Sequence, residues 1–197
     1  MGRRAIFEIP ALLPLAVPLA AQAGAKSRSE GYSIQRSERE WNYVLSPEQY
    51  FVLRQGGTEV PNTSPLVIEK RAGRFVCSGC GTSLFESSAK FDSGTGWPSF
   101  AAPLAGVEVE AKNPLNAALL GAEVRCRSCG GHLGDVFQDG LLFQGTPAAL
   151  TGKRYCIDGA ALVFEPSDGG EAVIGAAPSR QPELPSWLQP PKVGRTA

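Results

Sequence analysis

From Arg74 to Glu165 hydrophobic and polar residues change places in short runs, divided by turn-forming residues. "RFVC", "SLFES", "GVEVEA", "AEVRC", "DVF", "LLFQG", "RYCID" and "ALVFEP" each read as a strand, because side chains on one face of a strand recur every second residue. Only "NPLNAALLGA" has a helix-like composition in this stretch. The pattern predicts a mainly β fold, with two antiparallel sheets packed together and loops gathered at one end. A short helix precedes it in "WNYVLSPEQYFVLRQGG". Ser46 caps it, Pro47 suits its first turn, Gln49 completes a capping box and Gly56 ends it. Tyr50 and Leu53, with Phe51 and Val52 nearby, give it an apolar face to lay on a sheet.

The two ends of the chain follow other patterns. Residues 1–25 combine a basic start, "MGRR", an apolar stretch of 13 residues, "IPALLPLAVPLAA", and the small-x-small triplet "AQA". That stretch is too short for a membrane anchor, and the arrangement reads as an export signal. Arg3-Arg4 ahead of a proline-broken segment resembles a twin-arginine signal, with an organelle transit peptide as the alternative. A periplasmic protein without stable membrane anchoring is the expectation. Residues 26–40 are polar and aperiodic and read as linker, residues 41–166 as the folded domain. Residues 167–197 are rich in Gly and Pro, with four prolines between Pro182 and Pro191, and read as a flexible tail.

Composition narrows the partners. The chain has 197 residues, enough for one domain with a tail at each end, and 43% of them are hydrophobic. Nineteen basic residues balance nineteen acidic ones. Removing residues 1–25, which hold two arginines and one glutamate, leaves 17 basic and 18 acidic. Such a balance gives no basis for a nucleic-acid partner, and a monomer is expected.

Five cysteines carry the chemistry. Cys77-x-x-Cys80 and Cys126-x-x-Cys129 are two knuckles, each running into a glycine, with 45 residues between them. Two such turns close a tetrahedral four-thiolate site for zinc or iron; two disulfides, or a redox pair, are the alternatives. A closed four-thiolate zinc has no open coordination position and serves structure. Its net charge of −2 places Arg125 and Arg127, beside it in sequence, as compensating cations. An oxidising compartment threatens free thiols, and filling the site before export through a twin-arginine route avoids that.

Cys156 is the thiol left over. In "KRYCIDGAALVF" strand alternation puts Arg154, Cys156 and Asp158 on one face and Tyr155 and Ile157 on the other. A guanidinium beside the thiol favours the nucleophilic thiolate, whereas a buried inert cysteine is the bland alternative. His132, the one histidine, follows the second knuckle by three residues and is held by it. Asp135 and Phe137 lie just beyond. In "FDSGTGWPSF" Gly94, Thr95, Gly96, Trp97 and Pro98 suit a rigid turn that fixes one indole as the wall of a binding site.

Taken together, "CSGCG…FDSGTGWPSF…VRCRSCGGHLGDVF…GKRYCIDGAALVF" resembles the methionine-R-sulfoxide reductase B family (MsrB), from about Ser46 to Phe164. The resemblance implies paired antiparallel sheets, a structural zinc on Cys77, Cys80, Cys126 and Cys129, and repair of oxidised protein. It implies that Cys156 attacks the sulfur of methionine-R-sulfoxide, free or in proteins, and becomes a sulfenic acid. Trp97 matches the indole that packs on the substrate methyl, Phe137 a nearby aromatic, His132 a catalytic histidine and Arg154 the arginine beside the nucleophile. Three positions depart from the family pattern. Asp135 stands where many members have a second histidine, and Asp158 where many have asparagine. Thr95 stands where many have the cysteine that resolves the sulfenic acid. The expectation is that Asp135 or Asp158, with a raised pKa, helps His132 protonate the sulfoxide oxygen. A thioredoxin-like or other external thiol then reduces Cys156. The rival readings are a zinc-stabilised β binding module without catalysis and a Cys156-based peroxide or thiol sensor.

Overall fold

The computed structural model describes residues 31–110 and 121–176. The expected export signal, the helix-like 113–120 and the tail beyond 176 lie outside those residues. Two antiparallel sheets form the molecule, as the alternation predicts. One has four strands in the order β10-β9-β1-β2; the other has six, ordered β3-β4-β8-β7-β6-β5. The ten strands among the described residues are β1 Gly73–Cys77, β2 Ser83–Glu86, β3 Lys90–Phe91, β4 Ser99–Phe100, β5 Val107–Glu110, β6 Ala122–Cys126, β7 His132–Phe137, β8 Arg154–Ile157, β9 Leu162–Pro166 and β10 Val173–Ile174.

Aromatic rings fill the space between the sheets. Phe75 of β1 is opposite Phe85 of β2 and Phe164 of β9 in the ladder, so all three share one face. From the other sheet Phe100 stacks on Phe85 at 4.3 Å between ring centres and meets Phe75 edge-on at 4.9 Å. Tyr155 and Ile157 complete this layer from β8. Their inward placement turns Cys156 to the opposite face, as strand alternation requires.

Helix α2, Pro47–Gln55, has the predicted capping box: Ser46 Oγ accepts from Gln49 N, Gln49 Oε1 accepts from Ser46 N, and Gly56 forms the C-cap. Its buried face is Val52, Leu53 and Arg54, while Phe51 is exposed.

Three segments differ from the reading of the sequence. The end of the stretch read as linker forms α1, Glu38–Val44, nucleated by a second capping box between Ser37 and Glu40. "LLFQG" is not a strand. Gly140–Leu142 make a 3₁₀ turn ahead of α3, Pro147–Thr151, with Leu141 and Leu142 exposed. The Gly140 N–H donates to Gly152 O at 3.1 Å, which closes the segment into a loop. Past Pro166 the chain adds β10 beside β9 and buries Ala176.

Candidate active site and metal centre

The two knuckles close a single cluster. Cys77 ends β1 and Cys126 ends β6, and in each turn the following glycine N–H (Gly81, Gly130) donates back to the cysteine carbonyl at 2.8 Å. The four sulfurs lie within 4.8 Å of one another, with Cys77 to Cys129 at 3.8 Å and Cys80 to Cys126 at 3.6 Å. A tetrahedron with metal–sulfur bonds of about 2.3 Å has edges of about 3.8 Å. A disulfide would need about 2.05 Å, so the spacing fits a shared metal and not paired bridges. The cluster joins the β1–β2 turn of one sheet to the β6–β7 turn of the other. Leu53 of α2 lies against both turns, beside Gly79 and Gly131.

Arg125 and Arg127, expected beside the cluster, are engaged by other groups. Arg125 pairs with Glu123 at 2.8 Å and Glu110 at 3.1 Å, and Arg127 donates to Val107 O. The guanidinium beside the cluster is the buried Arg54, whose Nη1 donates to Cys129 O at 3.1 Å. Arg54 is also held 4.9 Å from the Trp41 ring centre.

On the outer face of β8, Cys156 lies in a cavity of about 170 Å³ lined by Thr58, Trp97, Gly134, Asp135, Phe137 and Asp158. The run from Phe91 to Phe100 builds one wall. Asp92 Oδ1 accepts the Gly94 N–H, and Gly96 adopts φ +90. A Cβ on Gly96 would come within 2.8 Å of Pro61, so only glycine lets the two turns touch. Trp97 follows, its Nε1 donating to Glu59 O at 3.2 Å. The opposite wall comes from β7. Register slips at Val124/Arg125, opposite Leu133, and Gly134 takes φ +142. This bulge lets Leu133 and Val136 both enter the core while Asp135 and Phe137 face the cavity. Asp135 is then the direct cross-strand partner of Cys156.

Polar partners surround the thiol unevenly. Thr95 Oγ1 is 3.8 Å from Cys156 Sγ, and Ser93 Oγ bridges Thr95 at 2.8 Å and Ser99 at 2.7 Å. Arg154 grips Asp139 with two nitrogens, the shorter contact 2.6 Å, and lies 4.5 Å over the Phe137 ring. Burial pushes the Cys156 thiol above its ordinary range; the Thr95 hydroxyl and Arg154 pull it down without reversing that. The sequence-based expectation of a thiolate favoured by Arg154 is therefore only half met, because Asp139 already engages the guanidinium and burial dominates.

Asp158 is almost fully buried. Its Oδ1 accepts the Glu59 N–H at 2.9 Å and its Oδ2 lies 3.9 Å from His132 Nε2, beyond a direct hydrogen bond. Burial raises its carboxyl to about 6, against the pull of the Glu59 amide and His132. Asp135 is raised as well, first by burial. His132 Nδ1 meets Glu123 Oε1 at 2.9 Å. A carboxylate only accepts, so Nδ1 carries the proton and Nε2 is turned toward Asp158.

The structure thus gathers Cys156, Trp97, Phe137, Asp135 and Asp158 around one cavity, with Thr95 against the thiol. His132 stands behind Asp158, and Arg154 stands behind Phe137. The sequence reading missed Glu59, Glu123, Asp139 and Gly134. Glu123 was accessible to it, since alternation on β6 puts Glu123 and Arg125 on one face beside His132. Glu59 carried no local signal, being 99 residues from Asp158.

Residues 45–166 match the SelR domain. Proteins named peptide methionine sulfoxide reductase MsrB are similar over most of the chain. One from Leifsonia xyli is 48% identical over 137 residues, covering 70% of this chain and 94% of its own. Another from Bradyrhizobium diazoefficiens is 45% identical over 142 residues, covering 72% and 97%. A third from Methanosarcina barkeri is 45% identical over 139 residues, covering 71% and 93%. The chain belongs to the SelR-domain family of MsrB reductases.

Proposed function

We propose that this oxidoreductase converts methionine-R-sulfoxide, free or in proteins, to methionine, with Cys156 as nucleophile. The observation that carries the reading is the placement of one thiol at the base of a cavity walled by an indole, a phenyl ring and two carboxyls of raised pKa. The S-methyl group of the substrate packs between Trp97 and Phe137, since a polarisable thioether methyl suits aromatic faces. Ionised Cys156 attacks the sulfoxide sulfur as Asp158, backed by His132, delivers a proton to the oxygen. The S–S bond formed by the attack and the S–O bond to methionine then break as the hydroxyl passes to the Cys156 sulfur; methionine leaves as the thioether with the electron pair, and Cys156 becomes a sulfenic acid.

Return to the thiol requires two external thiols. The first condenses with the sulfenic acid and releases water; the second displaces the first as a disulfide. Thr95 offers no sulfur, and the other four cysteines form the cluster. A thioredoxin-like protein fits this need, and repair of oxidised proteins follows as the role. Zinc is the metal that four thiolates at this spacing suit, and it would supply structure alone, clamping the two sheets.

Incubation with a racemic methionine sulfoxide derivative and dithiothreitol tests the proposal. Turnover that stops near half conversion, consumes the R epimer and vanishes in Cys156→Ser supports it. Consumption of both epimers, or activity that survives Cys156→Ser, defeats it. Binding of the sulfoxide without turnover would favour the non-catalytic module.

A further inference from the structure

We infer that Glu59 is a positioning residue that sets the cavity's selectivity for a methyl sulfoxide, by fixing the Trp97 wall against the Asp158 side. The inference rests on the sulfoxide reading of the cavity and extends it to a residue that does not line it.

Glu59 is buried, with 6% of its surface exposed, in the loop that follows α2. Its neighbour Thr58 lines the cavity rim. Four hydrogen bonds converge on this one residue, from both sides of the cavity. Its carbonyl accepts the indole N–H of Trp97 at 3.2 Å. Its own N–H donates to Asp158 Oδ1 at 2.9 Å. Its two carboxyl oxygens accept the N–H groups of Gly159 and Ala160, each at 2.7 Å. Those amides open the 3₁₀ turn Gly159–Ala161 directly after the strand that carries Cys156. The backbone of residue 59 thus spans indole to carboxyl, and its side chain nails that backbone to the end of β8.

A buried carboxyl is a costly way to close a turn, because burial opposes its charge and pushes it up to about 7. An acceptor pair for two adjacent amides could be supplied by a turn alone. What the side chain adds is a fixed distance between the loop bearing the indole's acceptor and the strand bearing the nucleophile. An aromatic slot can reject an extra methylene only if its wall does not yield. A methylene in a well-held apolar pocket is worth about 10- to 200-fold in kcat/KM.

The test compares methionine sulfoxide with ethionine sulfoxide, whose S-alkyl group is one methylene larger, in wild type, Glu59→Gln and Glu59→Asp. Gln presents an NH₂ to one of the two amides, and Asp is too short to reach both. The readout is the ratio of the two kcat/KM values, which is independent of the folded fraction because both substrates see the same active molecules. Wild type should prefer the methyl compound by about tenfold or more. In both variants the ratio should fall several-fold, chiefly because ethionine sulfoxide gains. A ratio equal to wild type, with both rates reduced together, overturns the inference and leaves Glu59 as a turn-closing residue. Failure of both variants to yield folded protein overturns it as well, since Glu59 would then hold the fold. Absence of sulfoxide reduction in wild type would instead defeat the proposed function beneath it.

Discussion

Replacing Asp158 with asparagine should make the protein more stable at alkaline pH and leave it unchanged in acid. The wild-type carboxyl rises from 3.8 to about 6 in the fold, driven first by burial. A raised carboxyl pKa means that the folded state disfavours the ionised form. The penalty is absent below the unfolded value, grows as pH climbs from 3.8 to about 6, and is complete above that. Two units correspond to about 3 kcal/mol. The group is 3% exposed, so solvent does little to screen it. Asparagine keeps an oxygen to accept the Glu59 N–H and carries no charge to bury. Urea unfolding of both proteins at matched zinc content, at pH 5 and pH 8, gives the answer. The variant should gain about 3 kcal/mol at pH 8 and only about half of that at pH 5. An equal gain at both pH values, or a loss at pH 8, would refute the linkage argument and show that Asp158 is stabilised as a carboxylate.

The pH dependence of kcat/KM should rise through about 6 as pH increases, level off, and fall again as the thiol itself ionises above its ordinary range. The productive form pairs a thiolate of raised pKa with a protonated carboxyl near 6, so it is at most about one molecule in a thousand of the free protein. In Asp158→Asn the limb near 6 should vanish. Gly134→Ala should destabilise by about 3 kcal/mol or more in urea unfolding, because its Cβ would stand 2.2 Å from the Cys156 carbonyl and the residue sits at φ +142. Removing the metal with a chelator, or substituting Cys77→Ser, should unfold the domain by circular dichroism, since the cluster ties one sheet to the other.

The β pattern and the two knuckles were legible in sequence because each is local. Alternation over four or five residues specifies a strand face, and two residues between cysteines specify a knuckle. The same alternation put Tyr155 and Ile157 on the face opposite Cys156, and the structure turns the first two into the core and Cys156 to the cavity. The bulge on β7 that sends Leu133 and Val136 both inward left no mark in the sequence, because a one-residue slip carries no composition of its own. Alternation failed on "LLFQG", where apolar residues stay exposed on a loop closed by Gly140 and Gly152. Proximity of Arg154 to Cys156 was right in sequence but misleading in charge, because Asp139, from another element, takes the guanidinium. Glu59 and Arg54 were invisible for the same reason: their partners are long-range, and nothing in their own neighbourhood points to them.

The central claim is that one cysteine takes the oxygen from the sulfoxide and no second cysteine in the chain resolves it. A single turnover without reductant, with the protein trapped by dimedone and digested for mass spectrometry, tests this directly. The account predicts one methionine released per chain and a dimedone adduct on Cys156 alone, with Cys77, Cys80, Cys126 and Cys129 unmodified. A disulfide between Cys156 and any cluster cysteine, or methionine released with Cys156 unoxidised, would contradict it.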